Sequence, residues 1–198
     1  MKKAAIDKAQ KRLLKARESF KRILSSINFS EFESAWTDFL LATQGIHSAL
    51  ELGAMTNPQS RQWYGGKKNE RRKDPLLQYL HQARNADEHG IEPIARHNPG
   101  HIGIGVGGET VHIDKLIIDG SGNMTAKFHP VDGKFPTVEF AQPRAELVTV
   151  VDSRFGDSFD PPKEHLGTAV NDSSPAGVAR VGLSYYEALV EEADKLIK

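Results

Sequence analysis

"PLLQYLHQARNADEHGIEP" (residues 75–93) is where the helical half of this chain comes to a stop. Leu76, Leu77, Leu80 and Ala83 recur at helical spacing, and Asp74-Pro75 supplies a cap and a first-turn proline, so the spacing predicts a helix to about His89. Gly90 can take the left-handed conformation that ends a helix, and Pro93 discourages continuation. Just before that ending, Arg84, Asn85, Asp87, Glu88 and His89 crowd together. The plainest reading pairs Arg84 with Glu88 at i,i+4 and leaves His89 to complement the helix C-terminus. As a site, the cluster faces a geometric obstacle: Arg84 and His89 are five residues apart, about 140° around an ideal helix. They converge only where the helix ends or bulges, and Gly90 offers such an ending.

Upstream, the period is helical. Ile6, Ala9, Leu13, Ala16, Phe20, Ile23, Leu24 and Ile27 predict one long helix over residues 4–27. Ser30 with Glu33 reads as a capping box opening a second helix to about Met55, with Phe32, Trp36, Phe39, Leu40, Ile46 and Leu50 inside. Two long helices this close should pack antiparallel. Asn57-Pro58 interrupts, and residues 60–74 read as a basic loop.

From His97 the period becomes two. "HIGIGV", "VHIDKLII", "MTAKFH", "TVEF" and "AELVTVV" are separated by Gly-Gly, Asp-Gly-Ser-Gly-Asn, Asp-Gly and Gln-Pro, predicting a small antiparallel sheet over residues 98–152. Residues 153–180 read as loop, and "LSYYEALVEEADKLIK" as a final helix capped by Ser184 that packs back on the first helices. The expectation is an α+β chain: a helical bundle over 1–97, a sheet over 98–152, and a loop and helix over 153–198 completing the bundle.

Composition sets the outer bounds. The 198 residues carry equal numbers of acidic and basic side chains and no cysteine, which excludes disulfides, thiolate metal sites and thiol nucleophiles. No run approaches the roughly 20 apolar residues of a membrane span, and the N-terminus has no apolar signal core, so the expected setting is cytoplasmic. Residues 1–75 hold 15 Lys and Arg against 8 Asp and Glu, and residues 76–198 hold 11 against 18. The first part could attract a polyanion, or both parts are simply solvated faces.

Arg84-Asn85, three residues, then His89-Gly90 resembles the Arg-Asn-x-x-x-His signature of the HEPN superfamily (higher eukaryotes and prokaryotes nucleotide-binding), with Glu88 standing where that family carries an apolar residue. The resemblance covers residues 1–97. It implies an antiparallel helical bundle, a homodimer bringing two motifs together, and metal-independent endoribonuclease activity without a cofactor, with Arg84, Asn85 and His89 catalytic. The chemistry is consistent: an imidazole suits proton transfer at the ribose 2′-hydroxyl or the leaving oxygen, and an Arg fork suits the phosphorane oxygens.

The segment before it offers a second candidate. Arg61, Lys67, Lys68, Arg71, Arg72 and Lys73 interleave with Trp63 and Tyr64, a combination that binds phosphates while stacking bases, or else a solvated loop with tucked aromatics. "GIGVGG" (103–108) lacks a following helix and reads as hairpin glycine, and "GSG" (120–122) as turn chemistry. No pair among His81, His89, His97 and His101 has the i,i+4 spacing with a following acid that marks a zinc helix. Three functions therefore compete: a HEPN-type ribonuclease of toxin or defence type with an antitoxin or other regulatory partner, a catalytically silent RNA- or nucleotide-binding module, and an interaction protein using the sheet.

Overall fold

The computed structural model describes residues 1–105, 109–119, 124–152 and 154–197. The chain is mixed α+β and divides into two units, residues 1–97 with 145–198, and residues 98–144.

The first unit is helical. α1 (Lys3–Ser25) and α2 (Phe29–Ala54) pack antiparallel. The Lys2 amide donates to Gly53 O (3.2 Å) at one end, and Arg22 reaches Asp38 and Ser34 at the other. Ile6, Ala9, Leu13, Ala16 and Ile23 of α1 are buried. The helix stops at Ser25 rather than 27, which leaves Leu24 half-exposed and Ile27 in solvent. The cap of α2 is Asn28, not Ser30. Its side chain accepts from the Glu31 amide (2.9 Å), while the Glu31 carboxylate accepts in return from the Ile27 amide (3.2 Å). The exchange resembles a capping box two residues earlier than the Ser-x-x-Glu spacing suggests, with the amide before the cap, that of Ile27, making the return bond.

α3 (Pro58–Lys73) corrects the reading of residues 60–74 as a loop. Asn57 caps it, accepting from the Ser60 amide (2.8 Å), and Pro58 sits in its first turn. The helix continues through Gly65 and Gly66, with Tyr64 buried and bonded to His47 O on α2, and with Lys68 and Lys67 paired to Glu51 on α2 and Glu192 on α5 (Pro175–Asp194).

α4 (Pro75–His89) is capped by buried Asp74, whose carboxylate accepts from the Leu77 amide (2.9 Å), lies 3.0 Å from His165 Nδ1, and accepts from the Leu166 amide (2.6 Å). One carboxylate thus starts a helix and ties down the distant segment before α5. Gly90 ends α4 in an extended conformation (φ −98°), not a left-handed one. Glycine is still required there, because a Cβ would press on Ala86 O, to which the Gly90 amide donates (2.7 Å).

α5 begins nine residues before the expected Ser184, with Ser174 as cap. Ser184 lies mid-helix and bonds back to Arg180 O. α5 packs on α1, with Arg17 paired to Glu187 (2.7 Å). Gly182 lets Leu80 approach where a Cβ would collide.

The expected single sheet is instead a set of two-stranded ribbons. β1 (Ala95–Asn98) pairs with β6 (Arg144–Leu147). In the second unit β2 (His101–Ile104) pairs antiparallel with β5 (Val138–Ala141), and β3 (His112–Ile118) with β4 (Met124–His129). Asp132 and Gly133, both at positive φ, make the tight turn of the Asp-Gly signal. In the first unit β7 (Val150–Val151) pairs with β8 (Ser158–Phe159), and β9 (Glu164–His165) with β10 (Thr168–Ala169). Strands β8 to β10 and the first turns of α5 occupy a stretch read as loop, whereas β7 falls in the β-rich run "AELVTVV". "GSG" and the end of "GIGVGG" lie outside the described residues.

Candidate functional site

α4 stays helical to His89, so no bulge brings Arg84 and His89 together. They nevertheless line one cavity of about 1000 Å³, because that cavity wraps the end of the helix. His81, Gln82, Arg84, Asn85, Ala86 and His89 form its α4 side, residues 90–93 continue it past the helix end, and residues 148–152 with Arg154 and Phe155 supply the rest. Residues 148–152 are held against α4 by Tyr79, whose hydroxyl donates to Val148 O (2.9 Å), and by buried Val150.

Within this wall Arg84 is already engaged. Its guanidinium pairs with Glu88 and donates to Asn85 Oδ1 (3.2 Å). Glu88 also lies 3.9 Å from His89 Nε2, so one carboxylate stands between the guanidinium and the imidazole. His89 is 60 % exposed and free to meet a ligand. Asp87 points away from the cluster and accepts from the Thr37 hydroxyl (3.2 Å) on α2. The i,i+4 pair read from the sequence and the shared cavity are therefore both present.

His81 was named in the sequence only as a metal candidate. It lies one turn before Asn85, whose Nδ2 is 3.4 Å from His81 Nε2 and 3.3 Å from Gln82 Oε1. Burial, then the nearby Arg71 and Arg84 charges, push the His81 imidazole down to about 4, against a smaller opposing effect of Asp152. His81 is thus neutral at pH 7. Its Nε2 can accept from Asn85, and its buried Nδ1 has no protein partner. This neutral ring and the Arg84 fork together fix the Asn85 amide at the cavity wall. The i,i+4 spacing was a visible signal. Asp152, Arg154 and Phe155 had none, since only tertiary packing brings them to α4.

The second candidate set is distributed differently. Tyr64 is buried, its hydroxyl donating to His47 O (3.0 Å), and burial raises that hydroxyl's pKa to about 12. Trp63 Nε1 donates to Glu192 (3.2 Å), and Lys67 pairs with the same carboxylate (3.0 Å). Lys68 pairs with Glu51 (2.8 Å), Arg71 donates to Gln44 (3.3 Å), and Arg61 donates to Met55 O (3.2 Å). Arg72 and Lys73 are exposed and carry no ion pair among the described residues. The apparent polyanion loop is largely a helix whose cations and aromatics fasten it to α2 and α5. No set of three or more His, Asp or Glu side chains among the described residues is arranged to hold a metal ion. No helix among them is long and apolar enough to cross a membrane.

No protein-family model, curated protein or solved structure matches this chain.

Proposed function

We propose that the cavity at the end of α4 is a metal-independent RNA-cleaving site of HEPN type, and that the helical unit is a bundle of that kind working as a homodimer. The observation that carries the reading is that Arg84, Asn85 and His89 line one cavity. His89 transfers a proton at the ribose 2′-hydroxyl or the leaving 5′-oxygen, Arg84 holds the phosphorane oxygens, and Asn85 orients the phosphate. The products are a 2′,3′-cyclic phosphate and a 5′-hydroxyl. One imidazole serves one proton transfer well, and two motifs across a two-fold axis supply both. Arg84 must exchange Glu88 for phosphate, which makes Glu88 a brake within the site.

The test incubates purified protein with single-stranded and structured RNA in excess chelator, comparing wild type with His89→Ala and Arg84→Ala. Each variant should lose about 10²-fold or more in rate while keeping its circular dichroism. Glu88→Gln should raise the rate by freeing Arg84. Equal cleavage by wild type and His89→Ala rejects the reading. A second reading, a structural or interaction protein, is favoured by the Arg84–Glu88 pair itself, which neutralises the guanidinium; neither binding nor cleavage of RNA would select it, and binding without cleavage would select a catalytically silent RNA- or nucleotide-binding module.

A further inference from the structure

The cavity wall opposite in chain position to α4 ends in a hairpin tip that presents two unused side chains. Between Asp152 and Asp157 the backbone closes on itself: the Asp152 amide donates to Asp157 O (2.8 Å), and the Phe155 and Gly156 amides donate to Asp152 O (3.3 and 2.8 Å). The Arg154 amide donates to Asp152 Oδ1 (2.9 Å), and Gly156 takes the positive φ that the turn requires. The base of this hairpin is β7 and β8, with Val150 buried. The amides of Arg154 and Phe155 are thus both bonded to Asp152.

Their surroundings are unlike those of the buried aromatics of this unit and of the other guanidinium that lines the cavity. Phe155 is 80 % exposed although it lines the cavity, whereas Trp36, Phe39, Tyr64 and Tyr79 are buried. Arg154 has no ion-pair partner among the described residues, while Arg84, the other guanidinium of the cavity, is held by Glu88 and Asn85. Ile91, 98 % exposed, and Val151, about half-exposed, are apolar side chains that line the same cavity. The pairing of a flat apolar surface with an uncommitted planar cation matches a ligand whose flat ring adjoins an anion. A nucleotide of a single strand has that form: the base stacks on an aromatic face and the guanidinium takes two phosphate oxygens. The volume is at the upper end of the roughly 300–1,000 Å³ of small-molecule pockets, room for an extended ligand.

Resting on the reading of the cavity as an RNA site, we infer that Phe155 stacks one base and Arg154 binds the adjoining phosphate of a single-stranded RNA that runs from the hairpin tip to Arg84 and His89. These are binding residues that seat the strand, and neither takes part in proton transfer.

The experiment places a Phe155→Trp reporter in a His89→Ala background and titrates it with short oligouridylate, with His89→Ala alone as the fluorescence reference. Saturable quenching is expected from the reporter and not from the reference. Adding Arg154→Ala should weaken it about tenfold and lower the salt slope by roughly 0.7, the value for one phosphate of a single strand. Arg154→Lys should recover part of the loss. Absence of reporter-specific quenching, an unchanged affinity on Arg154→Ala, or equally strong competition by base-free polyphosphate overturns the inference. Because the tip is exposed, thermal melting of each variant should match the parent. Wild-type cleavage without a reporter signal overturns this subsite and leaves the nuclease standing. Arg154-dependent quenching in a protein that cuts no RNA supports the subsite and removes the nuclease.

Discussion

Phe39 and Phe140 are the same side chain in two opposite settings. Phe39 of α2 is fully buried between Trp36 and the α4 and α5 helices, whereas Phe140 of β5 is 66 % exposed. The difference extends to whole units. Among the described residues, every buried apolar side chain lies in 1–97 or 145–198, and in residues 98–144 Ile102, Ile113, Leu116, Ile117 and Ile118 are all substantially exposed. A helix gathers its apolar positions on one stripe, and several stripes can meet in one core. A two-stranded ribbon has two faces and no third strand, so its apolar residues find little to cover them. The stability of this protein therefore resides in its helices.

The largest expected effect tests that contrast directly. Phe39→Ala should lower stability by about 3–5 kcal/mol, the range for a buried aromatic, whereas Phe140→Ala should stay within about 0.5 kcal/mol. Urea unfolding followed by helical circular dichroism measures both, and comparable losses would break the comparison.

Acid should act on the helical unit next. His47, both of whose ring nitrogens are buried without partners, is pushed down to about 3, chiefly by burial, and His81 to about 4. Both lie below the ordinary 6.5. Between pH 6.5 and about 4 the unfolded chain takes up protons that these folded imidazoles refuse, so stability falls as pH falls through that window. Urea midpoints at pH 7.5 and 4.5 should differ less for His81→Leu than for wild type.

The smallest effects sharpen a contrast inside the helical unit, that between α3 and α4. If α3 is fastened by its cations rather than reserving them for a polyanion, Arg72→Ala with Lys73→Ala should reduce RNA affinity only a few-fold and leave most of the salt slope in place. Gly65→Ala and Gly66→Ala should each stabilise by roughly 0.5–1 kcal/mol, since both glycines are helical and a Cβ at either meets nothing. A loop at 60–74 would gain nothing comparable, and thermal melting decides.

The amino-acid sequence by itself determined the parts that depend on local spacing. The apolar stripes of α1, α2 and α4, the Asp74-Pro75 start, the Asp132-Gly133 turn and the Arg84–Glu88 pair were all legible, because period, caps and i,i+4 neighbours are properties of a few consecutive residues. The density of cations made residues 60–74 look like loop, because the helix is held by Gln44 and Glu51 of α2 and Glu192 of α5, partners that no spacing within residues 60–74 discloses. In the same way, Pro175 and the small residues after it gave α5 a late apparent start, and short β-rich runs did not disclose that they would pair two by two. The candidate site divides along the same line. Arg84, Asn85 and His89 could be named from one stretch, but their shared cavity exists only because residues 148–152 pack against α4, and Arg154 and Phe155 acquire meaning from that cavity alone. Local rules decide which residues a helix offers, and burial across distant segments decides which of them remain available to a ligand.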